Sequence, residues 1–346
     1  MKRPDCSPTL LLHVPLPTEL HIKKPASAFA FRPDDTLLLT VHEEEGGILW
    51  DLTMAAPPQK LDFKQDQTFP IQPVKSVVLL GASGGFVLAF GTDHPAQHYE
   101  IINESPGFRV AKHTLLPAAN DVAMSQDGKT IAFSTGTTVE VWDGTGLRRN
   151  RVLSPTVIPR SPFQKVAISE DSKCTAAVDS TGQLTVWDIT NDFHKVSPDQ
   201  EFALDLGSGW QPTSIGLDNL FAMAVLRNSP PPGQQPDWTL VKWGFAYQGP
   251  DRTLYHQDFP PCAQACIPPS PDFTVALTTQ GQVMVKDAAM FPIFCTSEGA
   301  SKKGKVVSCS ISGSSKMLVA ARSNGRLTVW RLYTKEVDPS ATLLDY

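Results

Sequence analysis

The 346-residue chain has no surplus of positive charge: 30 lysines and arginines stand against 35 aspartates and glutamates, a net charge of −5. Proteins that hold phosphate backbones or anionic lipid normally show a basic excess, so nucleic acid is expected only through partner proteins. Long apolar runs are missing too. The run Leu10-Leu11-Leu12 stops at His13 and lies among prolines, which is too short for a signal-peptide core or a membrane-crossing helix. No direct membrane insertion is expected. Six cysteines, at 6, 174, 262, 266, 295 and 309, form no framework and read as reduced, mostly buried thiols. The expected location is cytoplasmic or nuclear.

Catalytic signatures are equally thin. The eight histidines show no H-E-x-x-H or paired spacing. Cys262 and Cys266, even with His256, fall short of the four donors that structural zinc takes. Gly81-Ala82-Ser83-Gly84-Gly85 matches G-x-S-x-G, but a nucleophile elbow requires a strand-to-helix turn, whereas these residues join two apolar strand-like runs. A glycine-rich hairpin is the expectation. Glu43-Glu44-Glu45 reads as a solvated turn. No catalytic residue, metal, cofactor or small-molecule substrate is expected.

What the chain does have is an internal repeat. Asn120 to Asp143 and Lys165 to Asp188 share one pattern: an alternating strand, a tight polar turn such as Gln126-Asp127-Gly128, a small-residue apolar strand, a second turn, and a strand ending in Trp-Asp. The same order appears at Ala28 to Asp51 and at Val306 to Leu332. Weaker copies fill the gaps at Val74 to Asn103, Thr213 to Trp243 and Ala263 to Asp287. Third-strand landmarks then fall at Trp50, Ile102, Trp142, Trp187, Trp243, Lys286 and Trp330, about 40 to 56 residues apart. Fourth, outer strands are expected in the connections, as at Lys60–Phe63, Val152–Ser154, Phe202–Leu204, Tyr255–Gln257 and Phe294–Thr296. The last unit lacks one, and Thr9 to Val14 could supply it, with Ala341 to Asp345 as the competitor.

These residues resemble the WD-repeat β-propeller family from about Thr9 to Leu332. The resemblance implies an all-β fold, a single seven-bladed β-propeller closed by an N-terminal strand, with residues 1–8 and 336–346 as tails flanking a 9–335 propeller. Departures mark a divergent member. No Gly-His dipeptide occurs, and Thr181 or Asn324 stands where the family favours Asp, so the buried His–Ser/Thr–Asp–Trp network is expected to be mostly absent. Neither Trp-Asp-x-Arg nor Phe-Arg-Arg-Gly is present.

A fold does not dictate function. The resemblance points to a non-catalytic scaffold docking other proteins in a multi-subunit assembly. The alternative is a reader of a short peptide or modified tail through the propeller top face, and an enzyme is the least favoured reading. Candidate contact residues are His42, Trp210, Arg227, Pro231, Pro232, Lys302, Lys303 and Arg322. Pro231 and Pro232 belong to an insertion, residues 228–237, expected to stand out as an extended proline-rich loop. The basic clusters Arg148-Arg149-Asn150-Arg151 and Lys302-Lys303-Gly304-Lys305 read as solvated connections between blades.

Overall fold

The computed structural model describes residues 12–14, 25–42, 46–53, 59–61, 73–81, 84–104, 107–155, 161–190, 202–203, 210–217, 221–230, 233–244, 254–259, 262–267, 273–287, 292–295 and 305–332. The tails 1–8 and 336–346, Pro231, Pro232, Lys302, Lys303, Glu43–Glu45 and the competing strand at 341–345 lie outside them.

The chain is all-β, with seven four-stranded antiparallel sheets in a propeller-like order. Sheet 1 runs β2 (Ala28–Phe31), β3 (Leu37–His42), β4 (Gly46–Asp51), β5 (Gln59–Leu61). Sheet 2 is β6 (Ser76–Leu79), β7 (Gly85–Ala89), β8 (Gly91–Glu104), β9 (Gly107–Ala119). Sheet 3 is β10 (Val122–Met124), β11 (Thr130–Thr135), β12 (Thr138–Asp143), β13 (Arg148–Leu153). Sheet 4 is β14 (Phe163–Ile168), β15 (Cys174–Asp179), β16 (Gln183–Asp188), β17 (Phe202–Ala203). Sheet 5 is β18 (Trp210–Leu217), β19 (Phe221–Asn228), β20 (Trp238–Gly244), β21 (Leu254–Phe259). Sheet 6 is β22 (Cys262–Cys266), β23 (Phe273–Thr278), β24 (Val283–Asp287), β25 (Pro292–Cys295). Sheet 7 is β26 (Val306–Ile311), β27 (Met317–Arg322) and β28 (Leu327–Arg331), with β1 (Leu12–Val14) as its fourth strand. Leu12, His13 and Val14 stand opposite Arg331, Trp330 and Val329.

The alternation of each strand feeds one apolar face to each neighbouring sheet, so the core is divided between them. Seven buried clusters result, six joining successive sheets. The seventh joins the last sheet to the first, placing Leu38, Ile48 and Trp50 against Met317, Val319 and Val329.

One sequence reading needs correction here. Arg148–Arg151 is not a loop: it forms most of outer strand β13, with Asp143 opposite Arg148 and Val141 opposite Arg151. Its exposed face admits arginine because an outermost strand packs against only one neighbour. Arg149 lies 3.6 Å from Glu140, whose carboxylate also accepts from Trp142 Nε1 at 3.0 Å. Part of the buried polar network, expected to be mostly absent, stands in sheet 1, where Trp50 Nε1 donates to Thr40 Oγ1 at 3.0 Å and that oxygen lies 3.0 Å from His42 Nε2. The histidine comes from the threonine's own strand, so no Gly-His dipeptide announces it.

The turns repeat as closely as the strands. Asp51, Asp143 and Asp188, the acids of the Trp-Asp endings, each accept from the amide and hydroxyl of a threonine two residues on: Thr53, Thr145 and Thr190. In the first turn of sheets 1, 3, 4 and 7 the chain turns left-handed at Asp35, Gly128, Ser172 and Ser315, and only sheet 3 uses the glycine that suits such a φ.

Asp35 carries a further burden. Ser314 of sheet 7 donates to its Oδ2, while Oδ1 is buried without a hydrogen-bond partner among the described residues. Burial pushes its carboxyl above the ordinary value of 3.8, against the pull of the Ser314 and Ser312 hydroxyls and Lys316. A folded-state value above the unfolded one means that stability declines as pH rises through that interval. Asp35→Asn, which tolerates the same backbone, is expected to raise the urea midpoint at neutral pH. The gain should vanish below the unfolded value of 3.8, where both side chains are uncharged. Urea titrations across pH read the difference, and a gain that persists in acid contradicts it.

The G-x-S-x-G match joins the antiparallel pair β6 and β7, where Leu80 N donates to Gly85 O at 2.7 Å, and its Ala82 and Ser83 lie outside the described residues. Gly85 is required by close approach: a Cβ there would stand 2.5 Å from the Tyr99 carbonyl oxygen and 2.7 Å from His98 Nε2. Gly85→Ala is expected to cost about 1–3 kcal/mol by overpacking, read by chemical denaturation. A neutral result would mean that β8 yields.

Candidate functional site

The inner strands of all seven sheets line one cavity of about 400 Å³. Its lining mixes apolar residues such as Ala30, Val77, Val166, Ile215, Ala265 and Ile311 with polar ones such as Ser125, Gln126 and Ser310. Its rim is polar. At matching positions near the start of the inner strands stand Ala28, Ser76, Asp121, Lys165, Ser214, Gln264 and Ser308. Five of these fasten one sheet to the next: Ser76 Oγ donates to the Val122 carbonyl (3.2 Å), Asp121 Oδ2 accepts from Val166 N (3.1 Å), Ser214 Oγ accepts from Ile267 N (2.8 Å), Gln264 Oε1 accepts from Cys309 N (3.0 Å), and Ser308 Oγ donates to the Ala26 carbonyl (2.8 Å).

A β-bulge precedes this position in sheets 4, 5, 6 and 7, where the register shifts across Gln164, Thr213, Ala263 and Val307. Each bulge turns one extra residue out of the ladder and re-aims the next. It accounts for Val307, an apolar side chain 39% exposed at the start of sheet 7.

Among the described residues, three formally charged side chains line the cavity: Asp121, Lys165 and Arg227. Asp121 and Lys165 neutralise each other at 3.4 Å, and the carboxylate is further occupied by the Val166 amide. Arg227, next to last in β19, is exposed and has no carboxylate partner among the described residues. Its guanidinium lies 5.6 Å from the ring centroid of Trp238, directly opposite on β20, a cation–π arrangement. Trp238 is only 5% exposed, and its indole Nε1 has no hydrogen-bond partner among the described residues.

The segment between these two residues is the predicted proline insertion. Its base is clamped by Asn228 and Asp237: backbone N to O at 3.0 Å, Asn228 Nδ2 to Asp237 Oδ2 at 2.9 Å, and Asp237 N to Asn228 Oδ1 at 2.7 Å. The clamp sets the positions of both flanking residues. Beside them, burial pushes the Cys262 thiol up to about 12, with Cys266 adding to it and Arg227 opposing. A thiol so raised stays protonated near neutrality and is a poor nucleophile.

Of the residues proposed from sequence, Arg227 is at the cavity mouth. Trp210 opens β18, opposite Asn228, and packs half-buried against the apolar cluster between sheets 4 and 5. His42 and Arg322 are not surface groups. His42 is 1% exposed within the Trp50–Thr40 chain, and Arg322, 5% exposed, donates from Nε to Thr328 Oγ1 at 3.4 Å. Both are the last residue of their sheet's second strand, His42 of β3 and Arg322 of β27. Pro231, Pro232, Lys302 and Lys303 lie outside the described residues. Trp238 escaped sequence reasoning because attention went to the strand-ending tryptophans. Its available signal was position, the first strand residue after an insertion that begins next to an arginine. Among the described residues no group of three or more His, Cys, Asp or Glu could hold a metal ion, and no helix is long and apolar enough to cross a membrane. No protein-family model matches the chain, and no curated protein matches it.

Proposed function

We propose that the chain is a closed seven-bladed propeller of the WD-repeat type, sealed by its N-terminal strand, and that it works as a non-catalytic interaction scaffold within a multiprotein complex of the cytoplasm or nucleus. The repeated Trp-Asp turns, the cluster joining sheet 7 to sheet 1 and the single cavity shared by seven inner strands support the fold. One observation carries the function: the ion pair within the cavity holds sheet 3 against sheet 4, while the charge left over, Arg227, is exposed at the cavity mouth beside Trp238. An acid already bonded to a neighbouring amide and an ammonium group is poorly placed as a proton acceptor, whereas an exposed arginine beside a tryptophan is a common anchor for a protein partner.

The test is native purification of the tagged chain at its own expression level, followed by size-exclusion chromatography and mass spectrometry. Stoichiometric partners that stay with the chain through gel filtration support the scaffold. Elution as a lone 37.7 kDa species at low salt overturns it. The peptide-reader alternative is favoured at one place, the Arg227–Trp238 pair.

A further inference from the structure

We infer that the mouth of the cavity between sheets 5 and 6 binds a carboxylate side chain of an acidic peptide, held by the Arg227 guanidinium and the Trp238 indole N–H. This rests on the peptide-reader reading and names its ligand.

Two independent observations converge. The first is the arginine, exposed, positioned by the clamp at the base of the proline insertion and without an acidic partner among the described residues. Its planar fork of donors suits a carboxylate. The second is the indole. A buried N–H without an acceptor costs free energy, and nineteen-twentieths of Trp238 is removed from solvent while its Nε1 has no partner. An anionic oxygen arriving at the mouth would satisfy this donor and the guanidinium together.

The surroundings favour an anion. Of the three charged side chains in the lining, Asp121 is neutralised by Lys165, so Arg227 supplies the net charge. Thr213 and Ala263, each at a bulge in the inner strand of its sheet, line the same cavity as the pair. Ala263 is exposed there and presents only a methyl group, leaving space for the incoming side chain. A single guanidinium with one further donor matches the charge of a carboxylate. A phosphate dianion would leave charge uncompensated.

The experiment uses the full chain labelled with ¹⁵N at its tryptophans and the synthetic peptide acetyl-Gly-Glu-Gly-Glu-Gly-amide. Seven tryptophans give seven indole resonances, and Trp238→Phe assigns one by deleting it while keeping a ring beneath Arg227. Titration is expected to shift the Trp238 resonance and leave those of the strand-ending Trp50 and Trp187 in place. Arg227→Ala should weaken the peptide by about tenfold or more, as loss of a charged anchor does. Arg227→Lys should restore part of the affinity, since it keeps charge but not the fork. Arg227 is exposed, so these variants are expected to fold as the parent does, checked by circular dichroism.

An unmoved Trp238 resonance overturns the inference, as does an equal shift with the glutamine version of the peptide. Tighter binding of a phosphoserine version overturns the carboxylate assignment. Scaffolding is read separately by native purification, so a chain recovered in stable complexes whose Trp238 resonance stays still fails here alone.

Discussion

Trp187→Ala is expected to lower stability by about 3–5 kcal/mol, the range for emptying a large aromatic site in a packed core. Trp187 is 1% exposed and lies between sheets 3 and 4, edge-on to Phe163 with ring centroids 5.9 Å apart and planes at 84°. Val139, Val141, Val166 and Ile168 share its cluster, and the β-sheet backbone around them cannot close over so large a void. Trp142 is the internal control. It occupies the matching position in sheet 3 but is only half-buried, with its Nε1 satisfied by Glu140 at 3.0 Å. Trp142→Ala should therefore cost clearly less. Scanning calorimetry on both variants decides the point, and equal losses would mean that the joint between sheets 3 and 4 is no tighter than the outer surface.

The second large effect belongs to Asp121→Ala. Its carboxylate accepts from the Val166 amide at 3.1 Å and lies 3.4 Å from Lys165 Nζ. Truncation leaves a buried amide without an acceptor and an ammonium group without its counter-charge, at an expected cost of about 2–4 kcal/mol. Asp121→Asn keeps an acceptor for the amide and should recover roughly half of that loss. Amide hydrogen exchange gives the local reading. Exchange at Val166 should accelerate in the alanine variant and stay near the parent rate in the asparagine variant, and equal protection in all three proteins would remove Asp121 from the fastening of sheets 3 and 4.

Sheets 3 and 4 were the most legible in the sequence because each spells three strands with a Trp-Asp close, and each carries one register shift, at Val141/Trp142 and at Phe163/Lys165. Sheet 2 was not, since β8 and β9 pair through three register shifts, and every bulge inverts the apolar pattern that a reader of periodicity follows. Three arginines and an asparagine concealed the first four residues of β13 and left only Val152 and Leu153 legible, for an outer strand needs little apolar side chain to pair. The candidate site was visible in one member. Arg227 could be picked out beside its insertion, but the consequence of Trp238 depends on a donor left without an acceptor, which is a property of three-dimensional packing. His42 and Arg322 looked like surface groups for the converse reason: polar residues at a strand end read as exposed, and here both are buried against a threonine, Thr40 and Thr328.

The pairing of Leu12–Val14 with Val329–Arg331 imposes an order on biosynthesis. Six sheets can complete themselves from local hairpins as the polypeptide leaves the ribosome, but the seventh waits for both ends of the chain. The Ser308 to Ala26 hydrogen bond, spanning 282 positions, has the same dependence. At translation speeds of about 5–20 residues per second, the strand 12–14 stands without a partner for some tens of seconds, and sheet 1 shows its Leu38, Ile48 and Trp50 face to the surroundings for as long. Chaperone engagement with the nascent protein should therefore concentrate on strand 12–14 and sheet 1 and end only after position 331 has emerged.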